Sequence, residues 1–260
     1  MSQSLLELYR YRELLWVWTV REVKIRYKQS LLGAAWAILQ PLSLTAIFTV
    51  VFSFFARVPT DGAPYPIFAY AALLPWTLLS SGISFAVPSL VGNMPLVTKI
   101  YFPKEILPLA SIGAALLDFA VALIVFVGMM AVYGVSPTGA LAWIPVLLLV
   151  QVALMIGVSL LAAGVNVFYR DVRFVVPLAL QLWMYGSPVI YPLSTVPERF
   201  RFLYMLNPMA GIIDGYRQVV LKGESPLNAN LLVAASVSLL LCLLGYLVFK
   251  RMEPEFADII

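Results

Sequence analysis

The chain has 260 residues, of which 62% are hydrophobic and only 12% charged, with 17 Lys and Arg against 13 Asp and Glu for a net charge of +4. A soluble domain carries roughly 25% charged residues; half that share cannot coat a water-soluble globule of this length, which excludes a soluble enzyme, a disordered tail and a nucleic-acid binder and leaves a polytopic helical membrane protein. The absence of histidine and the single cysteine, Cys242, exclude an intrachain disulfide framework and argue against a His- or Cys-based metal site.

The first long apolar run starts near Gly33, after Arg10, Arg12, Arg21, Lys24, Arg26 and Lys28, which is not the pattern of a cleavable signal peptide. At about 100° per residue, Trp16, Val20, Val23, Tyr27 and Leu31 share one face, and Arg10, Arg21, Lys24 and Lys28 form the adjoining stripe. Residues 1–32 therefore predict an amphipathic helix in the membrane interface, its charges toward water and anionic headgroups. Its polar side is an interfacial anchor or, in a sharper reading, also a dock for a cytoplasmic partner.

Six apolar stretches are long enough to cross a bilayer, near 34–56, 66–89, 107–133, 141–167, 174–191 and 229–249. Pro75 in the second and Pro145 in the fourth are expected to kink or open their helices. With the N-terminus inside, 12 basic residues fall in inner segments and 5 in outer ones, so both termini are expected in the cytoplasm. The connection after the second span, 92–105, predicts a short helix that starts at Asn93 as its cap, has Pro95 in its first turn and ends before Pro103. Its Leu96, Val97, Ile100, Tyr101 and Phe102 suit either a covering protein or the lipid surface.

The connection from Tyr191 to Asn228 is too oily for an exposed loop, yet Pro192, Pro197, Asn207-Pro208 and Gly215 cut it into pieces too short to span. Such pieces predict a re-entrant hairpin, which is tolerated at membrane depth only against protein or a water-filled path.

Catalytic chemistry is thinly represented. No G-x-x-x-x-G-K-[ST] loop occurs, His-based nucleophile devices are impossible, and every Lys lies in a connection or tail. Asp118 is the one acid well inside a span, with a cost of about 2.5–3.5 kcal/mol near mid-bilayer. It reads as a proton relay or as a carboxyl facing the bundle interior, and no Lys, Arg or His within a span is visible as its partner. Tyr65, Trp76, Tyr133 and Trp143 suit an interface belt. Phe48, Phe52 and Phe55 are spaced to share one helix face, and Trp183 and Tyr185 lie in the fifth span. These rings either pack against protein and lipid or line a conduit over which sugar rings slide.

Several motifs are familiar in order. They are Arg21 to Gly33 with Trp36 and Leu39-Gln40-Pro41-Leu42; Leu73-Leu74-Pro75-Trp76; Lys99 to Pro108; Asn166 to Asp171; Ser187 to Pro192; and Asn207-Pro208 through Tyr216-Arg217. Over essentially its whole length the chain resembles the membrane subunits of bacterial polysaccharide ABC exporters, which move O-antigen, teichoic acid or capsule. The resemblance implies an all-helical, six-span permease of the bacterial cytoplasmic membrane, working as a homodimer with two copies of a separate subunit that binds ATP and Mg. It implies that a transmembrane domain over 33–260 follows the interface helix, and that a coupling helix within 92–105 meets the ATPase through Asn93, Leu96, Lys99, Ile100, Tyr101, Phe102 and Lys104. It further implies that 192–221 forms external gate helices, with Tyr191, Pro192, Asn207, Pro208, Tyr216 and Arg217 in them, and that aromatic belts line the channel. Of the interface helix's cations, Arg21, Lys24, Arg26 and Lys28 would suit the pyrophosphate headgroup of a lipid-linked glycan. Other readings are a capsule, teichoic acid, lipid or drug exporter of the same class, a gradient-driven carrier using Asp118, and a membrane scaffold, which leaves the broken hairpin without a purpose.

Overall fold

The computed structural model describes residues 7–256 except Gln29 and Leu31. Helix α1 (Arg12–Tyr27) is followed by α2 (Trp36–Phe48), whose last turns widen into a π-helix at Thr49–Phe55. Then come α3 (Tyr65–Ala86), the short α4 (Ser89–Gly92) and α5 (Met94–Lys99), α6 (Ile106–Val132), α7 (Ile144–Phe168) and α8 (Val172–Tyr185). The chain ends with α9 (Glu198–Leu206), α10 (Pro208–Arg217), its π-helical extension Gln218–Lys222, and α11 (Ala229–Met252).

Among the described residues five helical stretches are long and apolar enough to cross a membrane: Trp36–Phe55, Tyr65–Ala86, Ile106–Val132, Gly139–Phe168 and Ala229–Glu255. The expected span at 174–191 is shorter than its hydropathy suggested. Helix α8 has 14 residues, which reach about 21 Å at roughly 1.5 Å each. The chain leaves the helix at Gly186 because Pro188 and Pro192 cannot continue it. Pro145 stands in the first turn of α7, where the 3-10 turn Gly139–Trp143 gives way to α-helix.

Helix α3 is the axis of the bundle, with Ile67 through Leu74 almost wholly buried. Polar pins fix it to its neighbours. Tyr70 donates to the Ala122 carbonyl of α6 at 3.0 Å, and its ring stacks on Phe126. From α7, Gln151 donates to the Pro75 carbonyl at 2.6 Å and Asn166 to the Val87 carbonyl at 3.1 Å, all in dry surroundings. Where lipid replaces water, packing and such interhelical bonds hold helices together, because burial of apolar surface against protein gains little over lipid. Helices α7 and α11 meet closest. A Cβ on Gly157 would overlap the backbone at Leu241, and one on Gly245 would overlap the backbone of Gly157, so only glycine admits this crossing.

Buried apolar residues form two bodies. The larger runs through the middle of the bundle to the hairpin α9–α10. The smaller gathers Trp18 of α1, Leu90, Val97, Phe102, the start of α6, the end of α7, and Phe249 and Phe256 from the C-terminal region. Helix α1, the turn that follows α11 and the 92–105 segment thus share one end of the bundle, called the termini end below, and the hairpin occupies the other.

Candidate functional site

At the termini end the 92–105 segment is built on a clamp. Lys250 Nζ lies 2.9 Å from the Glu105 carboxylate and 2.8 Å from Glu253 Oε2. Lys104 donates through Nζ to the Glu253 carbonyl at 3.2 Å, while its backbone N–H donates to Glu253 Oε1 at 3.3 Å. Phe256 is fully buried, edge-on to Phe249 and Phe168. The C-terminal turn is therefore a strap beneath the segment, tied by charge-assisted bonds and a packed aromatic.

That strap sorts the expected contact residues. Val97 and Phe102 are core, not exposed apolar groups, and Lys104 is engaged by the C-terminal turn. Ile100 is exposed and Tyr101 stands out at 85% exposure, with Lys99 beside them and Leu96 half-buried. Asn93 occupies the cap position of α5 but does not cap it. Its Nδ2 donates to the Ser89 carbonyl at 2.8 Å and its Oδ1 accepts from Arg21 at 3.1 Å. Arg21 lies over the Trp18 ring, so Asn93 links α1 to the 92–105 segment.

Helix α1 packs on α6 through a face different from the expected one. Trp16 is exposed, whereas Trp18 and Thr19 are buried, and Thr19 abuts Gly113 of α6, where a Cβ would stand 2.8 Å from its hydroxyl. Arg26, expected with the headgroup-facing cations, turns inward instead, its side chain only 7% exposed. It donates to Asp118 Oδ2 at 2.7 Å and to the Ser111 carbonyl at 3.1 Å, and it lies over the Phe85 ring. Tyr27 donates to Asp118 Oδ1 at 2.7 Å. Burial and that bond to Asp118 push the Tyr27 phenol above its ordinary range. Asp118 therefore has the cation that its own span lacks, supplied 92 residues earlier by α1. Lys24 and Lys28 remain exposed.

At the hairpin end, α9 and α10 meet at Asn207-Pro208. Asn207 caps α10, its Oδ1 accepting from Met209 N at 3.1 Å, and Pro208 sits at the first helical position. The same Oδ1 accepts from Trp183 Nε1 at 2.9 Å, while Nδ2 donates to Ser187 Oγ at 2.9 Å and to the Gly186 carbonyl at 3.2 Å. One side chain thus ties the hairpin apex to the end of α8.

The irregular stretch after α8 poses the harder problem, since unpaired carbonyls in a dry setting cost free energy. Arg217 answers it. Its Nη1 donates to the carbonyls of Pro188 at 2.6 Å and Tyr191 at 3.0 Å, and its Nη2 to Val189 at 2.7 Å. Tyr65 donates to the remaining carbonyl, Ile190, at 3.1 Å. The guanidinium lies 3.6 Å over the Phe68 ring. Pro192 and Tyr216 are also buried here, and the Tyr191 hydroxyl bonds that of Tyr204 in α9.

The expected channel aromatics divide. Phe48 and Phe52 meet edge to face at 5.5 Å, Phe48 being buried. Phe55 is 80% exposed and not on their face, because the π-helical turns after Phe48 break the 3.6-residue spacing that aligned them. Trp183 is half-buried, edge-on to Trp76, and Tyr185 is exposed. Sequence reading missed Tyr65, Lys250, Glu253 and Phe256. An aromatic residue just past Glu-Pro-Glu was the available sign for Phe256, and the i,i+3 spacing was the sign for Lys250 with Glu253; the pair with Glu105 joins positions 145 residues apart and left none.

An all-helical bundle with five helices long and apolar enough to cross a bilayer is the architecture of a multi-pass membrane protein. The family model for the ABC-2 type transporter matches residues 13–221, and the chain belongs to that family. It is a membrane permease subunit of an ABC transporter, whose family works with an ATPase subunit. The O-antigen export system permease protein RfbA of Myxococcus xanthus is 31% identical over 254 residues, 97% of each chain. That of Klebsiella pneumoniae is 30% identical over 250 residues, 95% of each. The polysialic acid transport protein KpsM of Escherichia coli is 23% identical over 240 residues, 90% of this chain and 91% of its own.

Proposed function

We propose that this chain is the permease of an exporter that moves a lipid-linked, O-antigen-like polysaccharide across the bacterial cytoplasmic membrane. The observation that carries the reading is the end-to-end similarity, at about the same identity, to O-antigen export permeases of two organisms. The weaker likeness to a polysialic acid transporter keeps the wider class of glycan exporters in view. In this reading α8 completes a set of six spans by joining the irregular stretch that Arg217 and Tyr65 satisfy. Both termini lie in the cytoplasm, and two copies form the conduit between them, since a bundle whose axis is filled by α3 has no room for a glycan.

The roles then follow the chemistry. Ile100 and Tyr101, bare on a rigidly strapped segment, seat in the ATPase, with Lys99 at the rim. Helix α1 lies in the interface. Lys24 and Lys28, with Arg21 close by, form an exposed basic and aromatic groove with Trp16 that suits a pyrophosphate headgroup. Arg26 instead holds α1 to α6, so a push on α1 reaches the bundle through Asp118. The α9–α10 hairpin is the external gate, and Trp183 with Asn207 couples it to α8. No step of this mechanism routes a proton through Asp118, which is ion-paired.

The test is reconstitution of the chain with its ATPase subunit in proteoliposomes, following movement of a lipid-linked glycan. ATP-dependent export by the pair and none by the permease alone is the expected result; flux through the isolated permease refutes the reading. Changing Arg21, Lys24 and Lys28 together to Gln should reduce export more than assembly. Normal export by that variant places headgroup capture elsewhere.

A further inference from the structure

A chamber of about 790 Å³ lies at the hairpin end, between α9–α10, the 60–64 loop and the 134–138 loop. Its volume is that of a small-molecule site, roughly 300–1,000 Å³. Its polar wall is ordered. Gln218 Nε2 donates to Asp214 Oδ2 at 2.7 Å, and Asn228 Nδ2 donates to Gln218 Oε1 at 3.2 Å, which fixes the amide's orientation. The Asn230 side chain also lines the chamber, close to the Asp214 carboxylate. This placement depends on a close crossing of α10 and α11 at Gly211, where a Cβ would stand 2.6 Å from the Asn230 carbonyl oxygen. Across the chamber, α9 presents Tyr204 and Arg201, and none of its residues is fully buried, so this wall can give way to admit a ligand.

The charges around the chamber have partners close by: Arg201 Nη1 lies 3.5 Å from Glu198 on the same helix. Lys222 Nζ lies 3.7 Å from Asp61, and the Arg217 guanidinium is bonded to backbone carbonyls. Burial pushes the Asp214 carboxyl above its ordinary range, an effect that Arg217, Lys222 and the neighbouring amides offset only in part. That leaves no cluster of unmatched cations to capture an anion. It leaves a carboxylate, two oriented amides and a tyrosine ring, which together suit a flat ring edged with hydroxyls.

We propose that this chamber is a glycan-binding site on the far side of the permease, taking one or two uncharged sugar rings, with Asp214 and Gln218 bonding ring hydroxyls and Tyr204 covering a ring face. The proposal rests on the export reading only for the source of the ligand, the glycan as it leaves the conduit. A site of this kind would hold emerging chain against backsliding while the gate resets.

The test uses the permease with its ATPase subunit in lipid nanodiscs free of sugar-headed detergent. The probes are neutral trisaccharides of mannose, rhamnose and galactose, with a sialic acid-containing trisaccharide and inorganic phosphate as contrasts, and binding is read by saturation-transfer NMR at millimolar concentration. At least one neutral probe should bind, and Asp214→Asn and Gln218→Ala should each weaken it about tenfold, the loss of one or two hydrogen bonds. Tyr204→Ala, on the loosely packed α9, gives a variant that leaves the α10–α11 crossing intact and should weaken binding as well. The proposal is overturned if no neutral probe binds, if phosphate or the acidic probe binds better, or if all three variants bind like the parent. Export assayed in parallel separates the two readings. Binding without ATP-dependent export removes the exporter and keeps the site, and export without binding removes the site alone.

Discussion

At the termini end, charged side chains answer one another: Lys250 with Glu105 and Glu253, and Arg26 with Asp118. At the hairpin end the most buried charge, Arg217, has no carboxylate within bonding distance among the described residues and gives its hydrogen bonds to three backbone carbonyls. The first arrangement joins elements far apart in sequence and makes a stiff frame. The second joins α10 to a stretch fewer than 30 residues away and makes the hairpin and the end of α8 one rigid piece. A frame suits a surface that receives force from a partner, and a local lock suits a part that moves as a unit.

The largest expected effect is at the lock. Arg217→Ala removes three charge-assisted bonds, worth roughly 1.5–3 kcal/mol each in a dry setting, and strips partners from carbonyls that water does not reach. A loss of about 5 kcal/mol is expected, read as a fall in thermal stability of the purified permease. Arg217→Lys should recover little, since an ammonium cannot span three carbonyls as a planar fork does. Stability of Arg217→Ala within about 1 kcal/mol of the parent would mean that the hairpin is anchored by other contacts.

At the strap, Lys250→Met leaves Glu105, buried to 1% side-chain exposure, with an uncompensated charge. The expected cost is about 3–4 kcal/mol, with most of it recovered when Glu105→Gln is added, because removing both charges costs far less than stranding one. A double variant as unstable as the single one would show that the Lys250 stem, not its charge, supports the strap. The α1 tie should be weaker. Asp118 keeps 22% of its side chain exposed, so Asp118→Asn should cost about 2–3 kcal/mol. The exchange Arg26→Asp with Asp118→Arg should restore ATP-driven export more fully than stability, if the tie transmits motion rather than only packing.

The comparison also explains what the sequence could tell. Long apolar runs and the Asn207-Pro208 break are local features, and five apolar helices and the helix pair about that break stand where hydropathy and turn chemistry put them. The face that α1 buries was not legible, because nothing local says that Arg26, which lies off the basic stripe, meets Asp118 92 residues later. The grouping of Phe55 with Phe48 failed for a different reason: it assumed a 3.6-residue turn, and the helix widens at Thr49 without any proline or glycine to announce it. The end of α8 was legible in part. Pro188 and Pro192 marked a break, but high hydropathy carried the expected span across it, and Arg217, placed in the gate helices by resemblance, gave no local sign that it makes the break tolerable.

The smallest expected effect on stability tests the frame most directly. Ile100 and Tyr101 are exposed and rest on nothing, so changing both to Ser should alter the permease's own stability by no more than about 0.5 kcal/mol. If the strap exists to hold these two side chains out for the ATPase, the same variant should lose copurification with that subunit and nucleotide-dependent export together, while Phe102→Ala, in the core behind them, should lower stability first. Retention of the ATPase and of export by the Ser variant would mean that the exposed tip lies against lipid, and the frame would need another purpose.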